Sequence, residues 1–312
     1  MKILITGATG FVGSSLRRAL AGEGHSIVVL TRSREPSEGS ATWDPRAGKI
    51  DRDRLEGLDA VVHLAGESIG AGRWTRERKD RILRSRVDGT RLLASSLVKL
   101  ERRPRILISA SAVGYYGDRG EVVLDEESGP GDGFLADVCR SWEAAAEPAS
   151  REGIDVVALR IGMVLGAEGG VLARLRPIFR VGMGAVQGSG RQYVSWITLD
   201  DLVGIVRHFL SRAGVPAPGE SRAGRVVAVN AVAPNPVTNR QFTKALAQAL
   251  GRPAILVAPG WALRLAMGEM AGPLLLASAR AVPRRALESG YEFRHPELAG
   301  ALRAISGRMR DS

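Results

Sequence analysis

Ile3-Leu4-Ile5-Thr6-Gly7-Ala8-Thr9-Gly10-Phe11-Val12-Gly13 is the stretch that decides the fold of this chain. The run Ile3 to Thr6 predicts a short buried strand. Phe11 to Gly24 places Val12, Leu16 and Leu20 on one face and predicts a helix that Gly24 stops. Gly7, Gly10 and Gly13 join the two as G-x-x-G-x-x-G. Glycine lets backbone turn sharply and approach a ligand without a Cβ in the way. The helix start offers unpaired N–H groups and the positive end of a dipole, which together suit a phosphate. Backbone at Gly7, Thr9, Gly10, Phe11, Val12 and Gly13 is therefore expected to cradle the pyrophosphate of a dinucleotide, with Gly13 letting the helix pack close to the strand.

Further along, apolar runs alternate with helical patterns. Ser26–Leu30, Asp59–Ala65, Arg105–Ala110 and Asp155–Val164 read as strands. Trp74–Leu100 and Gly133–Glu152 read as helices. Continuous apolar strands between helices predict an α/β fold, a Rossmann-type doubly wound parallel sheet covered on both faces. The second half is less regular. Arg180–Tyr193 is rich in glycine and predicts a loop over a pocket, Thr198–Leu210 a helix, Gly214–Gly224 a connection, Arg225–Ala231 a strand and Val237–Leu250 a helix. The last 50 or so residues predict helices broken near Pro273, Pro283 and Pro296. The expected division is a dinucleotide-binding domain over residues 1–165, to which 190–232 return, and a smaller, mostly helical lobe from 166–190 and 233–312.

The end of the second strand bears on the choice of cofactor. NAD sites place an acid there to hold the ribose 2′-hydroxyl. This chain has Leu30-Thr31-Arg32-Ser33-Arg34 and no acid. A guanidinium grips a phosphate as a fork of donors. The expectation is NADP(H), with Arg32 and Ser33 discriminating and Arg34 helping.

Composition narrows the alternatives. The chain has 312 residues, 45% of them hydrophobic, and a net charge of +11. The basic residues are mostly arginines scattered along the whole length, with no stripe interleaved with aromatics, so no nucleic-acid partner is expected. Ala271–Ala279 is far shorter than the roughly 20 residues that span a bilayer, so no membrane association is expected. Met1 leads straight into the first strand, leaving no room for a signal peptide, and the single Cys139 can form no internal disulfide. A cytoplasmic monomer or homodimer acting on a small molecule is the expectation. His25, His63, His208 and His295 show no metal-ligand spacing, and His63 in an apolar strand reads as packed.

Several motifs together resemble the extended short-chain dehydrogenase/reductase superfamily: Thr6-Gly7-x-x-Gly10-x-x-Gly13, His63-Leu64-Ala65-Gly66, and Ser109-Ala110-Ser111 running on to Tyr115-Tyr116-Gly117. The match is nearer to the atypical "epimerase family" branch, which is NAD-dependent epimerase/dehydratase-like and regarded as NADP-dependent oxidoreductases. That branch also carries Ala65-Gly66-Glu67, Phe134-Leu135-Ala136 with Cys139 and Trp142-Glu143, Ser195-Trp196-Ile197 and Pro234-Asn235-Pro236. Its C-terminal region of unknown function resembles Gly268-Glu269-Met270-Ala271 through Pro283 and Leu287.

The resemblance implies that Leu64, Ala65, Gly66 and Glu67 line the groove from adenine to nicotinamide. It also implies that Arg160 and Gly162 lie near the nicotinamide and that Ser111 bonds the substrate oxygen. Gln192, Tyr193, Ser195 and Trp196 follow the glycine loop and fall where relatives build the substrate pocket, with Trp196 either a pocket wall or core. One element is missing. The superfamily uses Tyr-x-x-x-Lys for proton transfer, yet this chain has no lysine between Lys99 and Lys244 and places Leu135 and Cys139 at those positions. Tyr116 and Tyr115 are the candidate replacement acids. Two functions stay open: an oxidoreductase or epimerase-like enzyme acting on a carbonyl or nucleotide-sugar-like molecule, and a non-catalytic NADPH-sensing protein that binds a partner.

Overall fold

β1 (Lys2–Thr6) sits inside an eight-stranded sheet, hydrogen-bonded on both sides. The other strands are β2 (Ser26–Thr31), β3 (Ser40–Asp44), β4 (Lys49–Ile50), β5 (Ala60–His63), β6 (Ile106–Ala112), β7 (Asp155–Ile161) and β8 (Val226–Ala231). In this computed structural model, which describes residues 1–33, 39–212 and 226–308, the spatial order is β8-β7-β6-β5-β1-β2-β3-β4. All pairs are parallel except β3 with β4. The strand order reverses between β1 and β5, and the crevice beyond their C-terminal ends is where such sheets bind ligands. The expected doubly wound α/β architecture is the one observed.

Alternation of side chains divides the core. Ile3 and Ile5 face Leu16 and Leu20 of α1 (Phe11–Gly22), while Leu4, Val61 and Leu107 face Leu93 and Leu97 of α2 (Arg76–Leu97). Strands covered on both sides have no polar face to show, which is why they read as unbroken apolar runs. Register then sets the chemistry. Thr6, His63 and Ser109 lie in one cross-strand row, and Ser111, Arg160 and Asn230 in the next row on the same face.

Three departures have local causes. The predicted helix 133–152 is split into α3 (Phe134–Ala144) and a short helix Glu147–Arg151, which begins with Pro148, a residue suited to a first turn and not to a helix interior. The loop 180–193 contains the strand Ala185–Gln187, which pairs with Leu256–Ala258. The edge strands β3 and β4 carry too little apolar alternation to be anticipated. The Gly214–Gly224 connection and Arg34 lie outside the described residues.

A separate apolar cluster joins α4 (Gly170–Arg180), α6 (Asn239–Leu250) and α8 (Leu298–Arg308) through Phe179, Phe242, Leu246, Leu302 and Ile305. Between them come α5 (Leu199–Ser211), capped by Thr198 accepting from the Asp201 N–H, and α7 (Gly260–Met267). Among the described residues no helix is long and apolar enough to cross a membrane, and no group of three His, Cys, Asp or Glu could hold a metal.

Candidate functional site

The crevice at the switch point is made of backbone on one side. Gly7 has φ +66°, and a Cβ there would lie 2.9 Å from the Leu64 carbonyl. A Cβ on Gly13 would strike the Gly7 carbonyl oxygen, so this glycine serves the close approach of α1 to β1. The Gly10 N–H donates to the Gly7 carbonyl at 3.0 Å and closes the turn. Gly10 also caps α1 without any side-chain hydrogen bond, and the first turn holds no carboxylate. The N–H groups at the start of α1 thus face neither a capping side chain nor a competing negative charge.

Thr9 and Gly10 are exposed, and Val12 packs into the core beneath them. The Phe11 ring rests on Gly166, Gly169 and Gly170, whose missing side chains make room for it. Arg32 and Ser33 follow the end of β2 and are exposed, and Arg32 forms no ion pair with another described residue.

Behind the crevice runs a buried polar chain. Thr6 Oγ1 accepts the N–H groups of Leu64 and Ala65, each at 3.0 Å. With those acceptor sites filled, the Thr6 hydroxyl donates to His63 Nδ1 at 2.7 Å. His63 Nε2 therefore carries the proton and donates to Thr90 Oγ1 at 3.0 Å, which also accepts the Trp142 indole N–H at 2.9 Å. Burial pushes the His63 pKa down to about 4, so the ring is neutral. His63 is a fully buried strut that fixes the strand exit, as its apolar strand predicts.

The opposite wall is made of side chains. The Glu143 carboxylate on α3 takes both arms of Arg160, from Nε at 2.9 Å and Nη2 at 2.8 Å. Ser111 donates to the same carboxylate at 2.6 Å. Arg160 Nη1 donates to the Tyr116 hydroxyl at 3.0 Å, and its Cζ lies 3.4 Å from the Tyr115 ring centre. Burial alone would lower the Arg160 pKa, but the bond and charge of Glu143 hold it above the ordinary arginine value.

Tyr116 is fully buried, and its hydroxyl lies 2.8 Å from Asn230 Oδ1 and 2.9 Å from the Asp125 carbonyl. Burial pushes its pKa up to about 12. The candidate acid Tyr116 is thus a sealed side chain whose hydroxyl is engaged by Arg160, Asn230 and the Asp125 carbonyl. Tyr115 keeps a partly open ring stacked on Arg160.

Leu135 and Cys139 lie against Gly114, and Cys139 also contacts Ser111. Burial, reinforced by Glu143, pushes the Cys139 thiol up to about 11, so it stays protonated and inert. Glu143 itself was not singled out from the sequence. Its spacing offered a signal, because it follows Cys139 by one helical turn and so shares its face.

Other candidates are tied to structure. Glu67 Oε1 accepts from Arg78 at 3.1 Å and Arg81 at 3.4 Å, and its N–H donates to Ser85. Gln192 directs its amide to the carbonyls of Gln187 and Leu275, both at 2.9 Å. Trp196 is fully buried with its indole N–H on the Asn235 carbonyl, so the pocket-wall expectation is corrected to core. Ser195 Oγ bonds the Ala279 carbonyl and the Ala281 N–H. The strip 192–196 is therefore mainly the seam that holds the segment 275–281. Within it, Tyr193 remains half-buried, with Arg280 4.7 Å from its ring centre.

The NAD dependent epimerase/dehydratase family matches residues 3–221, and a domain of unknown function, DUF1731, matches 258–305. The chain belongs to that epimerase/dehydratase family. An epimerase family protein of Mycobacterium leprae is 38% identical over 300 residues, 96% of this chain and 94% of its own. The human epimerase family protein SDR39U1 is 34% identical over 308 residues, covering 98% of this chain and 99% of its own. The crystal structure of human SDR39U1 isoform 2 with NADPH superposes with a TM-score of 0.87 at 33% identity, over 98% of this chain and 99% of that one. A UDP-N-acetylglucosamine 4-epimerase from Bacillus cereus shares the fold, with a TM-score of 0.75 at 19% identity over 99% of each chain.

Proposed function

We propose that this chain binds NADP(H) across the C-terminal edge of its sheet and transfers hydride between that cofactor and a small carbonyl or nucleotide-sugar-like substrate. The observation that carries the reading is the join of a glycine cradle at residues 7–13 to an acid-free, arginine-bearing end of β2. The crystal structure of the human relative, which contains NADPH, supports it. The crevice fits a dinucleotide: Gly7 and Gly13 exclude any side chain, and the start of α1 is uncapped.

Gly7 to Gly13 would hold the pyrophosphate and Arg32 with Ser33 the 2′-phosphate. Leu64 to Gly66 would line the middle, and Arg160 would close the far end. The bound nicotinamide supplies or accepts the hydride. The chain would orient the substrate oxygen through Ser111, whose hydroxyl turns from Glu143 to donate to it, and Tyr115 walls the same end. Arg160, paired with Glu143 and stacked on Tyr115, fixes the positions of both groups.

Calorimetry with NADPH and NADH tests the cofactor. Tighter NADPH binding is expected, and equal affinity, tighter NADH or no heat with either overturns the assignment. A screen of carbonyl and nucleotide-sugar substrates, following NADPH absorbance, tests the chemistry. Turnover that survives Ser111→Ala combined with Tyr115→Ala overturns those two roles.

A second reading, a non-catalytic NADP(H) sensor, is favoured by three observations. Tyr116 is sealed, Cys139 stays a thiol, and Ser111 already gives its proton to Glu143. Tight NADPH binding with no turnover across the screen would support it.

A further inference from the structure

The arginines of α2 differ in where they point. Arg78 and Arg81 reach Glu67, and Arg84 pairs with Asp80. Arg86 turns inward. Its guanidinium lies on the backbone of Gly66, where a Cβ would come within 3.2 Å of Cζ and 3.4 Å of Nη2. Its other face is the Trp142 indole, with Cζ 5.0 Å from the ring centre. Among the described residues its hydrogen bond is to its own helix, from Nη1 to the Ile82 carbonyl at 3.1 Å, and no carboxylate pairs with it. Burial pulls its pKa below the ordinary arginine value, and Cys139 and Glu67 pull it back only in part.

Arg160 provides the contrast. It also sits at this edge of the sheet, but Glu143 and Tyr116 occupy its donors. A guanidinium has five N–H donors in a fixed fork. Beyond the bond to Ile82, those of Arg86 meet no acceptor among the described residues and are not sealed from solvent, so they are available to an acceptor brought to the groove. Cations without an internal partner beside a crevice are suited to oxygen-rich ligands.

Position identifies which part of the ligand. β2 flanks β1 on one side, and β5 then β6 lie on the other. Strands are spaced about 4.8 Å apart. Arg86 lies beside Gly66, just past β5, and near Cys139, which contacts Ser111 at the end of β6. It is thus on the far side of the glycine cradle from Arg32. A dinucleotide with its adenosine at Arg32 and its pyrophosphate over residues 7–13 carries its second sugar past Gly66.

We propose that Arg86 binds the nicotinamide-side ribose of the cofactor, donating its free N–H groups to the sugar hydroxyls. This rests on the NADP(H) reading above. It also gives a role to a residue that neither the glycine motif nor the acid-free β2 end includes.

Two probes separate the halves of the ligand: NADPH, and adenosine 2′,5′-bisphosphate, which lacks the second ribose. Arg86→Met keeps the aliphatic stem against Trp142 and removes the donors. Calorimetry is expected to show NADPH binding at least about tenfold weaker in this variant, the order expected for losing a hydrogen bond to a charged group. The bisphosphate should bind with unchanged affinity, and Arg86→Lys should recover part of the NADPH loss. Unchanged NADPH affinity in Arg86→Met, or an equal loss for both probes, overturns the proposal. Wild-type protein that takes up neither probe overturns the cofactor reading instead, before any variant is compared.

Discussion

The two ends of the crevice are built from different materials. At β1 and β2 the walls are backbone: glycines, uncapped N–H groups and an exposed arginine. At β6 to β8 the walls are side chains that already satisfy one another, with Ser111, Glu143, Arg160, Tyr116 and Asn230 in one hydrogen-bonded chain. The first end is open to a ligand and tolerates no added atoms. The second is preorganised, and its charges are neutralised internally. On the proposed reading the first end would grip an anion, whereas the second would contribute orientation.

Removing Glu143 tests this contrast most severely. Arg160 has a side chain only 5% exposed and Glu143 13%, so Glu143→Ala leaves a buried cation unpaired. Breaking such a pair costs about 3–5 kcal/mol. Urea unfolding should show a loss of that order, and a loss under about 1 kcal/mol would mean that the reacting end is not self-neutralised.

Acid should act next. His63 has a folded pKa of about 4, below its ordinary value of 6.5. The folded state keeps it neutral while the unfolded chain takes up a proton below 6.5, so stability is full above that pH and falls as pH drops towards 4. The loss attributable to this group is about 3 kcal/mol. Unfolding of wild type and His63→Gln at neutral pH and near the acid end of that window measures it, and identical slopes would remove His63 from the account.

At the phosphate end, Gly13→Ala forces a methyl into the Gly7 carbonyl. A destabilisation of about 1–3 kcal/mol is expected, together with loss of NADPH affinity. Wild-type affinity in a folded variant would break the idea that this end tolerates no atoms. The smallest effect belongs to Arg32→Ala. Exposed and without an ion pair to a described residue, it should leave the melting temperature unchanged and weaken NADPH by about tenfold, with NADH unaffected.

The same division governs what the sequence disclosed. The glycine end is local: strand, glycines and helix follow one another within residues 3–22, so spacing alone predicted the turn that joins them. The reacting end depends on register. Ser111 meets Glu143 across 32 residues and Arg160 meets it across 17, because β6 and β7 pair Ser111 with Arg160. Single-residue periodicity carries no such information. Tyr116 was misjudged for the same reason, since Asn230, which seals it, lies 114 residues away. Trp196 follows a glycine loop and could be read as pocket wall or as core, and only the packing of α4, α6 and α8 over it decides for core. The split of the expected 133–152 helix, by contrast, had a local signal in Pro148 that the reading of one continuous helix passed over.

The seam along residues 192–196 bears on how the molecule can be divided. The DUF1731 match begins at residue 258, as though an accessory module had been appended. Yet Val282 accepts the Asn230 amide at 2.9 Å, Ser195 is bridged to Ala279 and Ala281, and Leu275 anchors Gln192. Asn230 in turn holds the buried tyrosine that braces Arg160. Truncation at that boundary would leave a remnant with a slack wall around Arg160, so the two matched regions should melt as one cooperative unit.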